Sequence, residues 1–442
     1  MRITQLTALA RDEAGGGTIM GLFWFMLLVA VAGLAVDTTD GLRNRTMLQA
    51  TADAASLAAA IDLPNQVTAV NTATAYAEDN MKTGLHGIVL DPSDVHVGKW
   101  DKATMSLDTA SATPDAVMVT VWRGDPNANP VPVQFLRIIG LQAWNVRAQA
   151  IAQRYIPECL REGLISRKMV DMSSNNYFTN EICIHGQQGV DIQSNNTFDP
   201  GVIVSMYDLD TLQIPASGFD TNPGLHEALR EQGLDARMVD HIDDIIQGVL
   251  DRDPAVTPSY IDLEMDVIET QPNFNFDRME PHRIYYVGCK PNQNLVIPAN
   301  SVIQHVALIA DCQITIGAHA TIMNSFIASR SGGKTDNGTL NRGDANIATA
   351  AGVQLGVPDN CAPGGGVQLF SNATIGTSSS TKIDGVQMVA TGEIALGAET
   401  EGINGISAQA GGNIDMTSNN MFGLCQGGVP GLFTAWYYRL VL

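Results

Sequence analysis

The sequence feature that most constrains the fold is a stretch of 23 residues, 14–36, without any charged side chain. Its densest part, residues 18–36, reads TIMGLFWFMLLVAVAGLAV. About 20 apolar residues in a helix cross the hydrocarbon core of a bilayer. The alternative is a cleaved secretory signal, whose apolar region is shorter, about 7–15 residues, and is followed by a small-residue cleavage site. The length of the run favours a retained transmembrane helix over 18–36.

The cysteines indicate the orientation of this helix better than the flanking charges do. Arg2 and Arg11 precede the span and Arg43 and Arg45 follow it, so the positive-inside rule gives a tie. All six cysteines lie after residue 158, and an even number on one side of a membrane fits an oxidising compartment. Buried free thiols are the alternative. We expect a cytoplasmic N-terminus and a periplasmic or extracellular C-terminal part.

The helical pattern continues beyond the apolar run. Leu42, Leu48 and Ala52 recur at roughly helical spacing in a segment rich in strong helix formers, and Pro64 ends it. A continuous helix from about residue 19 to residue 61 would be about 65 Å long. Residues 1–61 are therefore expected to hold a cytoplasmic N-terminus, the transmembrane helix and its helical extension. A plain anchor with a helical stalk is the alternative to a pilin-like helix that packs against others.

This region resembles the N-terminal region of TadG-like proteins of the tight-adherence (Tad/Flp) pilus system. The resemblance covers about residues 8–61, and the matching elements are Asp12, 15–17, 33–37, Arg43, Arg45, 48–50, 52–55 and 57–60. It implies a single-pass protein of the bacterial inner membrane, a minor-pilin-like structural or assembly component. The implied partners are the inner membrane, other Tad components and pilin-like helices, with no small-molecule substrate and no cofactor.

The apolar run departs from the processed pilins in one respect. Processed Tad pilins and pseudopilins carry a glutamate at the fifth position after the cut. A cut after Gly17 would place Leu22 at that position. The resemblance to TadG-like proteins therefore implies that the anchor stays intact.

Charge and composition limit the function classes. The formal net charge is −21, which argues against a nucleic-acid binder because such proteins need a clustered basic surface. Charged residues make up 16% of the chain, below the roughly 25% of ordinary soluble domains. With 42 glycines, this composition indicates many short strands and turns.

Residues 62–156 read as a small α+β domain. Residues 66–82 have a helical pattern, and residues 117–121 (VMVTV) read as a strand. Residues 143–154 alternate between apolar and polar side chains, the period of a half-buried strand. Pro157 and Cys159 mark the expected end of the domain.

A nine-residue motif occurs three times in the rest of the chain. Residues 170–178 read VDMSSNNYF, residues 190–198 read VDIQSNNTF and residues 414–422 read IDMTSNNMF. A period near 20 residues is typical of one coil of a β-solenoid. We therefore expect a mixed α+β fold whose mainly β C-terminal part, 157–442, is a right-handed parallel β-solenoid, or β-helix.

The repeated positions fit a structural ladder. Asparagine tolerates the left-handed conformation that a tight corner needs, its amide can bond the next coil, and the phenylalanines can stack in the core. A row of carboxylates that binds calcium or a sugar stays open as the alternative. The candidate residues are Asp171, Asn175, Asn176, Phe178, Asp191, Asn195, Asn196, Phe198, Asp415, Asn419, Asn420 and Phe422.

Two insertions interrupt the solenoid pattern. Residues 223–252 carry apolar side chains at spacings of three and four, which predicts an amphipathic helical pair. Its apolar stripe is expected to pack on the solenoid, with partner docking as the alternative. Residues 330–366 are low in complexity and predict a surface loop.

Cysteine spacing predicts three disulfides. Cys159–Cys183 and Cys289–Cys312 are separated by 24 and 23 residues, close to one coil, which would place the two ends of each pair side by side. Cys361 would then pair with Cys425. Six cysteines allow 15 pairings, so this one is a hypothesis.

The sequence contains no catalytic motif that we recognise. It has no G-x-S-x-G, H-E-x-x-H, P-loop or EF-hand string, so we expect no enzyme, no metal and no cofactor. Solenoids do host glycan-active enzymes that use clustered carboxylates. A membrane-tethered polysaccharide-active enzyme or a sugar-binding adhesin that uses Asp171, Asp191 and Asp415 is therefore the alternative.

Overall fold

The chain divides into two compact units. One comprises the residues up to 155 together with 436–442, and the other comprises 156–435. The structure is a computed structural model, and it describes residues 16–179, 181–290, 293–330, 346–359, 361–362, 366–397, 403–425 and 428–442.

Five α-helices lie in these ranges: α1 (Gly16–Ile61), α2 (Gln66–Asn80), α3 (Thr83–His86), α4 (Leu225–Ala228) and α5 (Ile242–Leu250). Short 3-10 helices are found at Pro92–Asp94, Asp125–Asn127, Leu136–Ile139, Glu158–Leu160, Leu209–Thr211, Gly218–Thr221, Arg237–His241 and Phe276–Arg278.

The described strands are β1 (Val95–Asp101), β2 (Ser106–Asp108), β3 (Ala116–Arg123), β4 (Val131–Pro132), β5 (Ala143–Trp144), β6 (Val146–Tyr155), β7 (Gly163–Ser166), β8 (Met169–Met172), β9 (Tyr177–Phe178), β10 (Cys183–Gly186), β11 (Gly189–Ile192), β12 (Thr197–Phe198), β13 (Ile203–Met206), β14 (Leu229–Glu231), β15 (Ile268–Thr270), β16 (Ile284–Val287), β17 (Leu295–Ile297), β18 (Val302–Gln304), β19 (Ala307–Ala310), β20 (Ile314–Ile316), β21 (Thr321–Met323), β22 (Ser325–Ser329), β23 (Ile347–Thr349), β24 (Gln354–Leu355), β25 (Val367–Ser371), β26 (Ile375–Gly376), β27 (Lys382–Ala390), β28 (Ile394–Leu396), β29 (Ile403–Ala410), β30 (Ile414–Met416), β31 (Met421–Gly423) and β32 (Tyr437–Leu440).

The first unit packs two helices on an antiparallel sheet. Its five strands lie in the order β2-β1-β3-β6-β32. Alanines at spacings of three and four give each helix a narrow buried face that can lie close to its neighbours. The fully or almost fully buried alanines are Ala52, Ala55, Ala59 and Ala60 of α1 and Ala69, Ala73 and Ala77 of α2. The second half of α1 is therefore part of this unit's core rather than a free stalk.

The unit boundary differs from the one that the sequence indicated. The sequence pattern predicts 62–156 as the small domain and 157–442 as the solenoid. The structure pairs β32, at the far end of the chain, with β6, so that Tyr437 lies opposite Tyr155. A single strand at the C-terminus carries no pattern that tells which sheet it joins, because pairing over this distance in sequence depends on the tertiary fold.

The second unit is built from parallel sheets. An eight-stranded sheet has the order β11-β8-β30-β28-β26-β23-β20-β17. Beside it, successive parallel pairings give the order β14-β13-β10-β7-β29-β27-β25-β22-β19-β16-β15. Neighbouring strands pair in register at an offset of 20 residues near the start of the unit, as with Val170 and Val190.

The parallel strands of the second unit form a stack, and the first of them in sequence, β7, lies in the middle of that stack rather than at one end. Gly163 at the start of β7 lies opposite Cys183 on one side and Ser407 on the other. The chain advances from β7 to β14 at one end, resumes with β15 at the other end, and returns to β29–β31 beside β7–β9. This order explains why the motif at 414–422 pairs with the motif at 170–178 although almost the whole unit separates them in sequence.

A connecting segment, residues 232–267, links the two ends of the stack. The backbone N–H of Leu234 donates to Nε2 of His185, and Arg167 donates to both carboxylate oxygens of Asp240. Further along, the amide of Asn372 donates to Asp243. Because His185, Arg167 and Asn372 lie in or next to β10, β7 and β25, the segment crosses the strands of the stack.

The predicted helical insertion 223–252 is only partly helical. It contains α4 and α5, but strand β14 separates them. The apolar side of α5 faces inward, with Ile242, Ile246 and Val249 buried. This agrees with the expected packing of the apolar stripe on the rest of the unit.

The predicted loop 330–366 is not a simple loop. Its residues 331–345, 360 and 363–365 lie outside the described residues. The rest includes β23 and β24, which pair in register with β20 and β21. Ile347, Val353 and Leu355 are buried. In the sequence, their short apolar alternation is difficult to recognise among the surrounding glycines and polar residues.

The mainly β, parallel C-terminal part agrees with the fold expected from sequence. No closed sheet is formed by the strands that the structure describes. The right-handed β-solenoid therefore stays a prediction.

Candidate functional site

The two halves of helix α1 differ in the exposure of their apolar side chains. From residue 19 to residue 36 its large apolar side chains face outward, and Phe23 and Leu28 are each 64% exposed. Beyond that point Leu48, Ala52 and Ala59 are fully buried. By length and composition the helix is able to cross a membrane. Its first half offers an apolar surface, and its second half holds the folded unit.

Asp37 marks the junction between the two halves. Its carboxylate accepts hydrogen bonds from the backbone N–H groups of Gln134, Phe135 and Leu136, at 2.9, 2.8 and 2.7 Å. The residue is 2% exposed. Burial disfavours the charged form, but the three donors outweigh burial and hold the pKa of Asp37 below its usual value. An apolar helix end is thereby joined to a loop about a hundred residues away.

The same loop contacts α1 one turn below Asp37. A Cβ placed on Gly33 would lie 2.5 Å from Cβ of Phe135, so only glycine permits this approach of loop and helix. Phe135 is nevertheless 41% exposed. The contact therefore leaves one side of the aromatic ring open beside the apolar half of α1.

The second asparagine of each repeated motif takes part in one continuous ladder. The backbone N–H of Asn420 donates to the side-chain oxygen of Asn176, that of Asn176 to Asn196, and that of Asn196 to Asn222, at 2.9, 2.9 and 3.0 Å. All four residues are almost fully buried. Each rung of the ladder thus satisfies a backbone group of the next.

The other repeated residues occupy the corner and the core. Asn175, Asn195 and Asn419 have φ of 65°, 67° and 65°, the left-handed region that asparagine tolerates. Phe178 stacks between Phe198 and Phe422, with ring centroids 5.1 and 4.9 Å apart. The structure therefore places all three motifs side by side.

The aspartates of the motif form a row on the adjacent sheet. Asp171 lies opposite Asp191 and Asp415 in register. Burial, followed by the neighbouring Asp415 carboxylate, raises the pKa of Asp171 to about 6. Burial and the nearby Glu393 raise the pKa of Asp415, and burial with the charge of Asp171 raises that of Asp191. Asp171 and Asp415 can thus share a proton at about pH 6.

Neighbouring side chains hydrogen-bond to the aspartate row. No group of three histidine, cysteine or acidic side chains suited to a metal ion was found within the described ranges. The side-chain amides of Asn413 and Gln193 donate to Asp171 and Asp191. These contacts are those of a hydrogen-bonded row along the sheet.

Three disulfides brace the second unit. They join Cys159 to Cys183, Cys289 to Cys312 and Cys361 to Cys425, with Cα atoms 4.9, 5.9 and 5.4 Å apart. These are the pairs that the spacing predicted. No other cysteine exists in the chain.

Sequence reasoning missed two residues of these sites. Asn222 extends the ladder but follows Asn196 by 26 residues and stands in the string FDTNPG, without the rest of the motif. Asp37 was noted only as part of the TadG-like pattern. Its loop partners lie 97–99 residues away, and no local spacing signals such a contact.

Comparison with known families bears on both units. Residues 15–62 match the family described as putative Flp pilus-assembly TadE/G-like, which confirms the resemblance to TadG-like proteins. The match coincides with α1. Together with the apolar first half of that helix, it fits a single-pass inner-membrane protein of a pilus-assembly type.

The second match covers most of the parallel sheets. No curated protein and no solved structure matches the chain. Residues 163–426 match DUF7867, a domain of unknown function, and they include every strand from β7 to β31. Because this match extends over more than half of the sequence, the chain belongs to the DUF7867 family.

Proposed function

We propose that this protein is an inner-membrane-anchored, minor-pilin-like structural component of Tad (Flp) pilus assembly. The observation that carries the proposal is the match of residues 15–62 to the TadE/G-like family, which coincides with α1. The N-terminus is cytoplasmic, residues 18–36 span the membrane, and both folded units lie in the periplasm or outside the cell. The three disulfides support that side of the membrane, because an oxidising compartment preserves them.

The second half of α1 supports a structural role with lateral contacts. Leu42, Thr46 and Ala50 are exposed and lie four residues apart, so they share one face of the helix. Leu42 is 60% exposed. This stripe gives α1 an exposed face outside the membrane that can pack against a pilin-like helix.

The second unit is proposed to act as a rigid spacer built as a right-handed β-solenoid. In-register parallel pairing, the asparagine ladder and the stacked phenylalanines support this architecture. Each turn of chain contacts its two neighbours, as in other repeat architectures. Such a body would hold a binding partner at a fixed distance from the membrane.

Gene deletion and site-specific crosslinking test the function. Deletion should abolish piliation, and the wild-type chain should restore it. A photoreactive amino acid at Leu42 or Thr46 should crosslink to a Tad component in piliated cells, whereas the same group at the buried Ala59 should not. Normal pili in the deletion strain would overturn the proposal.

One observation favours a second candidate, an enzyme or adhesin that acts on envelope polysaccharide. The pKa of Asp171 is raised to about 6, and a general acid of a glycoside hydrolase has a raised pKa. The detergent-solubilised full chain would then cleave or bind envelope glycans, and Asp171→Asn would abolish this. Unchanged glycan turnover in the deletion strain would exclude this candidate.

A further inference from the structure

The loop that Asp37 holds lies beside the apolar half of α1. Residues 133–141, here called the interfacial loop, read VQFLRIIGL, with one charged residue, Arg137. A soluble loop is usually polar and rich in turn residues. This composition resembles that of segments that enter a bilayer surface, where apolar side chains face lipid and a basic residue reaches the headgroups.

The position of the loop along α1 gives its expected depth in the bilayer. Phe135 packs on Gly33, which precedes Asp37 by four residues, about 6 Å along a helix. An open apolar groove between loop and helix is lined by Met26, Val29 and Leu34 together with Phe135 and Leu136. Met26 lies 11 residues before Asp37, about 16 Å. That distance corresponds to about half of a hydrocarbon core of about 30 Å.

Backbone N–H groups at both ends of the loop have hydrogen-bond acceptors. Unpaired backbone N–H groups are costly in hydrocarbon. Asp37 accepts those of residues 134–136, and the N–H groups of Val133, Gly140 and Leu141 donate to carbonyl groups of Gln142, Arg137 and Leu136. Asp37 itself therefore pairs its charge with the start of the short Leu136–Ile139 helix.

The side chains next to the loop, on the side away from the apolar half of α1, are of the kinds found among lipid headgroups. Trp144 packs against Gly41 of α1, one turn beyond Asp37, and tryptophan is enriched at membrane–water interfaces. Arg43 and Arg45, both exposed, lie about 9 and 12 Å beyond Asp37. Basic side chains at this height can pair with lipid phosphates.

We propose that the interfacial loop inserts into the outer leaflet beside α1, with acyl chains in the groove, and that Asp37 fastens this second membrane contact. The inference rests on the proposed membrane-spanning role of α1. Lipid is the occupant because the groove continues the surface that α1 itself offers to acyl chains. The two contacts would fix the tilt and rotation of the helix, and with them the orientation of the first unit, of which α1 is a part.

Electron paramagnetic resonance on the full chain in liposomes of phosphatidylethanolamine and phosphatidylglycerol tests the inference. A nitroxide is attached through Phe135→Cys in the loop, through Val29→Cys in the span, or through Ala110→Cys on the exposed side of the same unit. We expect oxygen accessibility to exceed that of a water-soluble nickel complex at 29 and 135, and the reverse at 110. Adding Asp37→Ala should make position 135 accessible to nickel and leave position 29 unchanged.

The other outcomes separate the two proposals. A water-exposed label at 135 with a lipid-exposed label at 29 would overturn the interfacial loop and leave the membrane span intact. Water exposure at both positions would overturn the span as well. Spin–spin broadening at 135 that disappears on dilution with unlabelled protein would show that a second copy, rather than lipid, occupies the groove, and would also overturn the inference.

Discussion

The backbone N–H of Asn420 donates to the side-chain oxygen of Asn176 at 2.9 Å, although 244 residues separate them. This bond joins the last complete turn of the stack to the first. Asn176 therefore bonds to two neighbouring asparagines, because its own backbone N–H donates to the side-chain oxygen of Asn196. The ladder therefore links parts of the chain that are distant in sequence.

Asn176→Ala should destabilise the second unit by about 2–4 kcal/mol, because it leaves buried backbone and side-chain groups without partners. Urea unfolding of the detergent-solubilised chain measures the change. The matched control is Asn195→Gly, because Asn195 is exposed with φ of 67° and glycine adopts that conformation without steric cost. A loss for Asn176→Ala no greater than that of the control would contradict the ladder's role.

The pH dependence of stability should reveal the aspartate row. The pKa of Asp171 rises from 3.8 to about 6 on folding, so the folded chain binds this proton more tightly than the unfolded chain. The stabilisation is complete below about pH 4 and is lost as the pH rises through about 6. Asp171→Asn should therefore gain melting temperature relative to wild type between pH 5 and pH 7.

Differential scanning calorimetry at a series of pH values checks this. Asp220→Asn, at an exposed position outside the row, is the control and should follow the wild-type profile. If Asp171→Asn followed that profile too, the shared proton would be excluded.

Loss of the Cys361–Cys425 disulfide should cost about 4 kcal/mol by the chain-entropy estimate for its separation of 64 residues. For Cys289–Cys312, with a separation of 23, the same estimate gives about 3 kcal/mol. Paired Cys→Ser variants, compared by urea unfolding under oxidising conditions, provide the measurement. Equal stability of wild type and both variants would show that the bonds are dispensable.

The second unit should be removable without unfolding the first. Tyr155 and Tyr437 are direct partners in the antiparallel pair β6–β32, and such partners lie about 5 Å apart. Replacing 157–435 by a turn of four residues rich in glycine should leave the five-stranded sheet intact. Circular dichroism and hydrogen exchange of the shortened chain measure this, with deletion of 436–442 as the comparison that should expose β6.

Local repetition made the ladder and its corners predictable from sequence. Five of the nine positions are identical in all three copies, because each copy meets the same requirements: an inward phenylalanine, a corner asparagine with positive φ and an asparagine that bonds the next turn. The half-buried strand near 143–154 was predictable for a similar reason, since alternation reports burial on one face.

Contacts between distant segments were not predictable in this way. The entry of β7 into the middle of the stack, the pairing of β32 with β6 and the bond of Asp37 to residues 134–136 all depend on tertiary placement. Strands β23 and β24 were missed because each is only two or three residues long. Two or three residues are too few to establish the apolar–polar alternation of a strand.

The mid-stack entry has a consequence for biogenesis. Strands β7–β9 are synthesised early, and one of their flanks has no partner strand until residues 403–422 follow. A chain that stops before residue 403 would keep that bare flank permanently and offer it to any other extended polypeptide. Completion of the chain to residue 422, rather than local order in strands β7–β9, thus decides when this flank is protected from aggregation.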